Sequence, residues 1–177
     1  WCPEALRQVP KIRDLLRTCR RLKVPVIYTQ THHADHCKFT FYEFWPMLRG
    51  SGILREGAEG SEIYHEITPE SGDIVIKRKH TYDAFTGTDL DYILRDLGVK
   101  AVIVCGTNTN FCCESTARAA FFHHYNVVLG SDINSTYTGE THRATLKTLR
   151  AGFARVMTKD EIVRELLESA EKGETRA

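Results

Sequence analysis

Residues 102–118 read VIVCGTNTNFCCESTAR, an apolar β-branched run followed by a Gly/Thr/Asn turn and then by residues with helical spacing. This pattern predicts a strand over residues 101–105 and a helix over residues 113–122. Cys112 therefore lies where a strand passes into a helix, and the unpaired N–H groups of a helix N-terminus favour an anion there. A thiolate forms more easily at such a position, and the same N–H groups can hold a developing oxyanion.

Strand and helix patterns alternate along the rest of the chain. The other predicted strands lie at 24–29, 73–77, 126–130 and 153–157, and the other predicted helices at 6–22, 88–98, 141–150 and from 158 onward. This alternation predicts an α/β fold with a doubly wound, mostly parallel sheet and helices on both faces, a Rossmann-like three-layer arrangement. Ligands bind such sheets at the carboxyl ends of the strands.

Composition predicts a single compact domain over residues 1–177, with 42% hydrophobic residues and a net charge of +1 from interleaved signs. Interleaved charges argue against nucleic-acid binding, and no apolar run approaches the roughly 20 residues needed to cross a membrane. The six cysteines form no CxxC pair. We therefore expect the cysteines to be reduced thiols of a cytoplasmic protein. This sequence shows no signal peptide. It also contains no glycine-rich fingerprint, so we expect no nucleotide cofactor.

Lys79 follows the predicted strand 73–77 by two residues. A lysine at the rim of a partly desolvated crevice can stabilise a thiolate or donate a proton during acyl transfer. The three basic residues in a row can equally form a solvated strand end, and position alone leaves both interpretations open.

Two motifs resemble those of the isochorismatase-like cysteine hydrolases: GTNTNFCCESTAR at 106–118 is similar to their nucleophile signature, and KHTYDAFTGTDL at 79–90 to their lysine motif. The resemblance spans nearly the whole chain. It implies that Cys112 is the nucleophile and Lys79 the triad lysine, since Lys77 falls two residues too early. It also implies a cis peptide between Thr107 and Asn108, which would direct the Asn108 N–H toward the oxyanion beside that of Cys112.

Members of that family begin with an apolar strand that ends in the triad aspartate, and residues 1–10 contain neither. We therefore expect a sheet that lacks its first central strand. Flanking strands would lose their ladder partners, so the preferred interpretation is that the sequence lacks an upstream segment. The alternative is a degenerate chain that folds differently or only with a partner.

Aromatic residues beside the two motifs are candidates for the substrate pocket. Tyr82, Phe85 and Phe111 are predicted to bind substrate, although core packing explains them equally well. The long irregular stretch 30–72 suits a loop that covers a site or packs on a partner subunit, with Phe44 and Trp45 as candidate contacts. This loop favours a homo-oligomer.

The segment 31–37, THHADHC, has the composition of a metal cluster, since imidazole and thiolate suit zinc. We prefer to interpret His32, His33, His36 and Cys37 as a polar loop near the site, and we predict no metal. Glu114 complements the dipole of the following helix and is not expected to act as a base.

These residues predict a hydrolase of a small amide, imide or N-carbamoyl compound that works through a cysteine nucleophile and an acyl-enzyme. A vinyl ether hydrolase of the isochorismatase type is one alternative. A catalytically inactive oligomerisation or regulatory protein is the other, and the missing aspartate favours it.

Overall fold

The computed structural model describes residues 2–33 and 50–173, in which helices and strands alternate as predicted. The helices are α1 (Pro3–Arg21), α2 (Leu90–Asp96), α3 (Glu114–Phe122), α4 (Gly139–Gly152) and α5 (Lys159–Glu171). The strands are β1 (Ile27–Thr31), β2 (Ile74–Lys79), β3 (Ala101–Thr107), β4 (Asn126–Ser135) and β5 (Arg155–Met157).

The strands carry apolar side chains on both faces, and helices cover both. On one face, Ile103 of β3 packs with the apolar sides of α1 and α5. On the other face, Val102 and Val104 pack with α2, α3 and α4. Because neighbouring strand residues point to opposite faces, the run from 102 to 104 serves both cores. The predicted three-layer, doubly wound α/β fold is confirmed.

The sheet is divided into two parallel parts, one formed by β1 and β2 and the other by β3, β4 and β5. Between β1 and β3 lies a cavity of about 360 Å³, here called the slot, with an apolar lining that includes Leu16, Val26, Ile27, Val102 and Ile103. None of the seven residues of β3 is fully buried. Among the described residues, no strand lies between β1 and β3, and an open space stands where the sequence predicts that a central strand is lacking.

Several boundaries differ from the sequence prediction. Strand β2 continues to Lys79, so the prediction that this lysine follows the strand by two residues was wrong. The continuous apolar run 74–76 ends before the basic residues, but the ladder with β1 continues as far as the pair Thr31 and Lys79. Strand β4 runs on to Ser135 through polar residues. No helix in the described parts of the chain is long and apolar enough to span a bilayer.

A buried ion pair ties α1 to the start of β2. Arg20 donates to Asp73 from Nε (3.3 Å) and from Nη2 (2.6 Å), and it also donates to the Tyr28 hydroxyl at 3.2 Å. The side chain of Asp73 is 5% exposed. Burial alone would raise the pKa of this carboxyl, but the hydrogen bonds and charge of Arg20 outweigh burial and hold the pKa below its ordinary value.

Replacing Asp73 by Asn should destabilise the protein at pH 7 by about 1–3 kcal/mol, because the Arg20 charge loses its buried partner. A carboxyl whose pKa is lowered by folding contributes stability above its unfolded pKa, and this contribution disappears as the pH falls through the folded pKa. The difference between parent and variant should therefore shrink below about pH 4. Urea denaturation at pH 7 and at pH 3 measures this difference in the free energy of unfolding.

The matched control is Glu165→Gln, which removes the half-exposed partner of Arg155. It should cost less than about 1 kcal/mol at pH 7. A destabilisation by Asp73→Asn that is the same at both pH values would contradict the assignment of a charge-dependent contribution.

Candidate active site

The carboxyl ends of β2 and β3 bring Lys79 next to Cys112. The Lys79 Nζ lies 3.6 Å from the Cys112 Sγ, and it also donates to the backbone carbonyls of Thr81 at 2.6 Å and Tyr82 at 3.2 Å. Lys79 is only 3% exposed. Among the described residues, none of the acceptors of this ammonium is a carboxylate. The thiol sulfur is therefore the one acceptor in this set that can carry a full negative charge.

Cys112 lies in a π-helical turn, Thr109–Cys113, that precedes α3. The Asn108 carbonyl accepts from the N–H groups of Phe111 and Cys113, each at 3.2 Å. The Thr107–Asn108 peptide bond is cis, as the resemblance implies. The chain thus turns sharply between the end of β3 and the thiol.

A histidine from α4 fixes the first residue of this turn. His142 contacts the Ser131 carbonyl through Nε2 at 3.0 Å and the buried Thr109 hydroxyl through Nδ1 at 2.9 Å. A carbonyl only accepts, so Nε2 carries the proton, and in the neutral ring Nδ1 accepts from the hydroxyl. This chain of contacts connects the turn to β4.

The other cysteines near the core are poor nucleophiles. Burial raises the pKa of Cys19 and of Cys105 to about 11, although the Cys105 side chain opens onto the slot. Burial also raises the pKa of Cys113 well above its ordinary value, and the neighbouring Cys112 thiol adds to this effect. These three thiols therefore stay protonated at neutral pH.

Two of the three acids in the motifs, Glu114 and Asp83, form structural contacts. Glu114 accepts from Arg118 at 2.7 and 3.0 Å and from the Thr145 hydroxyl at 3.3 Å. Asp83 accepts from the backbone N–H groups of Phe85 at 2.9 Å and Thr86 at 2.7 Å. Both Glu114 oxygens and the Asp83 Oδ1 accept these bonds, and the expectation that Glu114 is not the base stays a prediction.

Of the predicted pocket residues, Tyr82 and Phe111 lie together. Their half-buried rings stack with centroids 5.2 Å apart, and the Tyr82 carbonyl binds Lys79. Phe85 is buried in the core, where its ring stacks on His123 at 4.8 Å, and it also lines the slot. Phe44 and Trp45 lie outside the described residues.

His32 and His33 are buried at the end of β1, whereas His36 and Cys37 lie outside the described residues. Burial lowers the pKa of His33, and the charges of His80 and Lys79 lower it further. Within residues 2–33 and 50–173, no group of three His, Cys, Asp or Glu side chains is arranged to hold a metal ion.

Comparison with known proteins agrees with this geometry. The Isochorismatase domain family matches residues 2–161. The chain belongs to the isochorismatase family. It is 39% identical over 162 residues to nicotinamidase 3 of Arabidopsis thaliana, a match that covers 89% of this chain and 80% of that protein.

The chain is also similar to a protein named as an amide hydrolase. The ureidoacrylate amidohydrolase RutB of Acinetobacter baylyi is 36% identical over 112 residues, which cover 63% of this chain and 45% of RutB. The matched part of this chain thus spans about half the length of that relative.

Two solved structures share the fold over nearly all of the chain. A cysteine hydrolase from Pseudomonas syringae superimposes with a TM-score of 0.89 at 30% identity and covers 96% of this chain and 84% of its own. The N-carbamoylsarcosine amidase of Thermoplasma acidophilum superimposes with a TM-score of 0.74 at 30% identity, and the match covers 90% of this chain and 87% of the amidase.

The sequence analysis missed two buried amides near the nucleophile turn of this family member. Gln8 of α1 donates to Gly106 and Thr107, and Asn134 of β4 donates to the carbonyls of Val104 at 2.9 Å and Gly130 at 2.6 Å. One signal was available for Gln8, because it stands four residues before Ile12 on the apolar face of α1. A polar residue on such a face needs a buried partner.

We predict that iodoacetamide modifies Cys112 before Cys19, Cys105 and Cys113 at pH 7. The raised pKa values of the other three keep them as thiols, and Cys112 faces an ammonium. The rate at each of these three should be at least about tenfold lower. Peptide mapping by mass spectrometry measures the order, and earlier modification of Cys113 would contradict the assignment.

Replacing Lys79 by Met should slow alkylation of Cys112 at pH 7 by about tenfold, because a nearby cation favours the thiolate. Lys77→Met is the matched control, since Lys77 is exposed on the same strand and should leave the rate within about twofold. The assignment of Lys79 is wrong if both substitutions change the pH dependence of alkylation equally.

Proposed function

We propose that this chain hydrolyses a small amide, imide or N-carbamoyl compound through a Cys112 nucleophile and an acyl-enzyme. The observation that carries the proposal is the 3.6 Å contact between the buried Lys79 ammonium and the Cys112 sulfur. The names of the relatives support amide hydrolysis, since nicotinamidase, ureidoacrylate amidohydrolase and N-carbamoylsarcosine amidase each denote cleavage of a C–N bond.

In the proposed reaction, the Cys112 sulfur attacks the carbonyl carbon and the electron pair of the C=O bond moves onto oxygen. The backbone N–H groups of Asn108 and Cys112 are the proposed donors to this oxyanion. The C–N bond then breaks, the amine leaves with a proton, and water hydrolyses the thioester. Lys79 stabilises the thiolate before attack and the negative charge that develops afterwards.

The reaction also needs a group that takes the thiol proton and returns it to the leaving amine. Glu114 is held through both oxygens by Arg118 and Thr145, and Asp83 is held by two backbone N–H groups. We infer that an extended apolar segment fills the slot and brings a carboxylate to its Lys79 end. Three features of the slot support this inference. Its walls are apolar, and the facing edges of β1 and β3 have no strand partner among the described residues. Lys79 and Cys112 both line the slot.

The stacked Tyr82 and Phe111 rings are the proposed wall for a planar substrate, and Phe85 stays a predicted contact. Vinyl ether hydrolysis is the alternative reaction for the same fold, although it has less need of an acyl-forming thiol. The expectations of a cytoplasmic location and a homo-oligomer stay predictions.

The test measures ammonia release from a panel of small amides and N-carbamoyl compounds, with and without a peptide of about seven apolar residues ending in aspartate. The length is that of β3, whose seven residues face the slot, and two lysines at the amino end keep the peptide soluble. The protein alone should be slow, and the peptide should accelerate it, because general acid–base help contributes about 100-fold to 10,000-fold.

The matched control peptide ends in asparagine, which fills the slot without supplying a base. It should raise the melting temperature as much as the aspartate peptide but should not accelerate the reaction. Cys112→Ala should be inactive with either peptide. Turnover by Cys112→Ala would exclude the cysteine nucleophile, and rapid turnover without any peptide would exclude the need for an added carboxylate.

A further inference from the structure

Gln8 is a buried amide on α1 that reaches the end of β3. It is 6% exposed, and its Nε2 donates to the Thr107 hydroxyl at 2.8 Å and to the Gly106 carbonyl at 3.2 Å. A carbonyl oxygen accepts but cannot donate, so the nitrogen of the amide must face Gly106. One side chain thus holds the two residues that directly precede Asn108.

The residues that Gln8 holds directly follow an irregularity in the β3–β4 ladder. Val104 of β3 pairs with Leu129 of β4, and the next pair is Gly106 with Asn134. Between these two pairs β3 moves on by two residues and β4 by five. Gly106 has φ +131, a conformation that side chains rarely adopt. The ladder is interrupted between Val104 and Gly106 and resumes with the pairs Gly106–Asn134 and Thr107–Ser135. The bonds from Gln8 therefore add a contact from α1 at the point where strand pairing restarts.

The other end of the Gln8 amide gives no stabilisation. Its Oε1 is buried without a hydrogen-bond partner among the described residues. A buried acceptor without a donor offsets much of what the two bonds from Nε2 contribute to folding. The burial of this amide is explained better by the position it gives to Gly106 and Thr107 than by stability.

We propose that Gln8 is a positioning residue for the oxyanion site, which sets the direction of the Asn108 N–H through Gly106 and Thr107. This inference rests on the proposed function, because the oxyanion site is part of the proposed reaction. Gln8 does not touch the reacting atoms. Its effect should therefore appear in the stabilisation of an oxyanion and not in the reactivity of the thiol.

Acetaldehyde separates these two effects. The Cys112 sulfur forms a bond to the aldehyde carbon, the electron pair of the C=O bond moves onto oxygen, and that oxygen takes up the proton released by the thiol. The hemithioacetal places its oxygen where the oxyanion of an amide substrate would lie. Iodoacetamide alkylates the same sulfur by displacing iodide at a saturated carbon and needs no oxyanion donor.

In the experiment, iodoacetamide labelling of Cys112 is timed with increasing acetaldehyde, which protects the thiol. In Gln8→Met, the labelling rate without aldehyde should stay within about twofold of the parent, and the acetaldehyde concentration for half protection should rise at least about tenfold. This is below the roughly 100-fold to 1,000-fold cost of removing an oxyanion donor, because the donor here is displaced and not deleted.

Gln30→Met is the matched control, since Gln30 is another buried glutamine whose Nε2 donates to a backbone carbonyl, that of Ser61 at 3.2 Å. This substitution should leave the labelling rate and the acetaldehyde concentration for half protection within about twofold of the parent values. Thr107→Val tests the same contact from the acceptor side if Gln8→Met does not fold. In the double variant the combined effect should be smaller than the sum of the two, because both substitutions remove the bond between Gln8 and Thr107.

An unchanged half-protection concentration in Gln8→Met, or in Thr107→Val if the former does not fold, overturns the positioning role. An equal rise in Gln30→Met overturns it as well. A parent protein that shows no protection by acetaldehyde overturns both this role and the proposed oxyanion site. If the parent is protected in a Gln8-dependent way but hydrolyses none of the amides, the positioning role stands and the proposed substrate class fails.

Discussion

A buried ammonium is the constraint on which the site depends. Lys79 is almost completely removed from water, and an unpaired charge in such a place costs several kcal/mol unless each of its protons finds an acceptor. Two acceptors are carbonyls of the chain that follows β2, and the third is the sulfur of Cys112. The strand end, the turn after it and the nucleophile are therefore fixed by one group.

Much of this arrangement follows from local sequence. The β-branched run before Gly106 and the spaced alanines after Cys113 predict a strand and a helix, and Cys112 falls at the junction in the structure as in the prediction. Thr158 and Glu161 form the capping box that their spacing predicts. Such features depend on residues that are near each other in the chain, so one sequence is enough to find them.

The features that the sequence did not reveal depend on distant contacts. The polar end of β4 reads as a loop, but it pairs with Gly106 and Thr107 in the structure. The sequence predicts that Lys79 lies beyond its strand, because the apolar run ends at Ile76. Gln8 and Thr107 are 99 positions apart, and no local pattern shows that they meet. Strand pairing and packing across the sheet determine these three features, and the strand propensity of single residues does not.

The division of the sheet has a consequence for control of the reaction. Lys79 belongs to the pair of strands on one side of the slot, and Cys112 follows a strand on the other side. Among the described residues, no ladder joins β1 to β3, so the contact between Lys79 and Cys112 is one of the interactions that set the separation of the two halves. A segment that binds in the slot more tightly when this contact is formed must strengthen the contact by the same free energy.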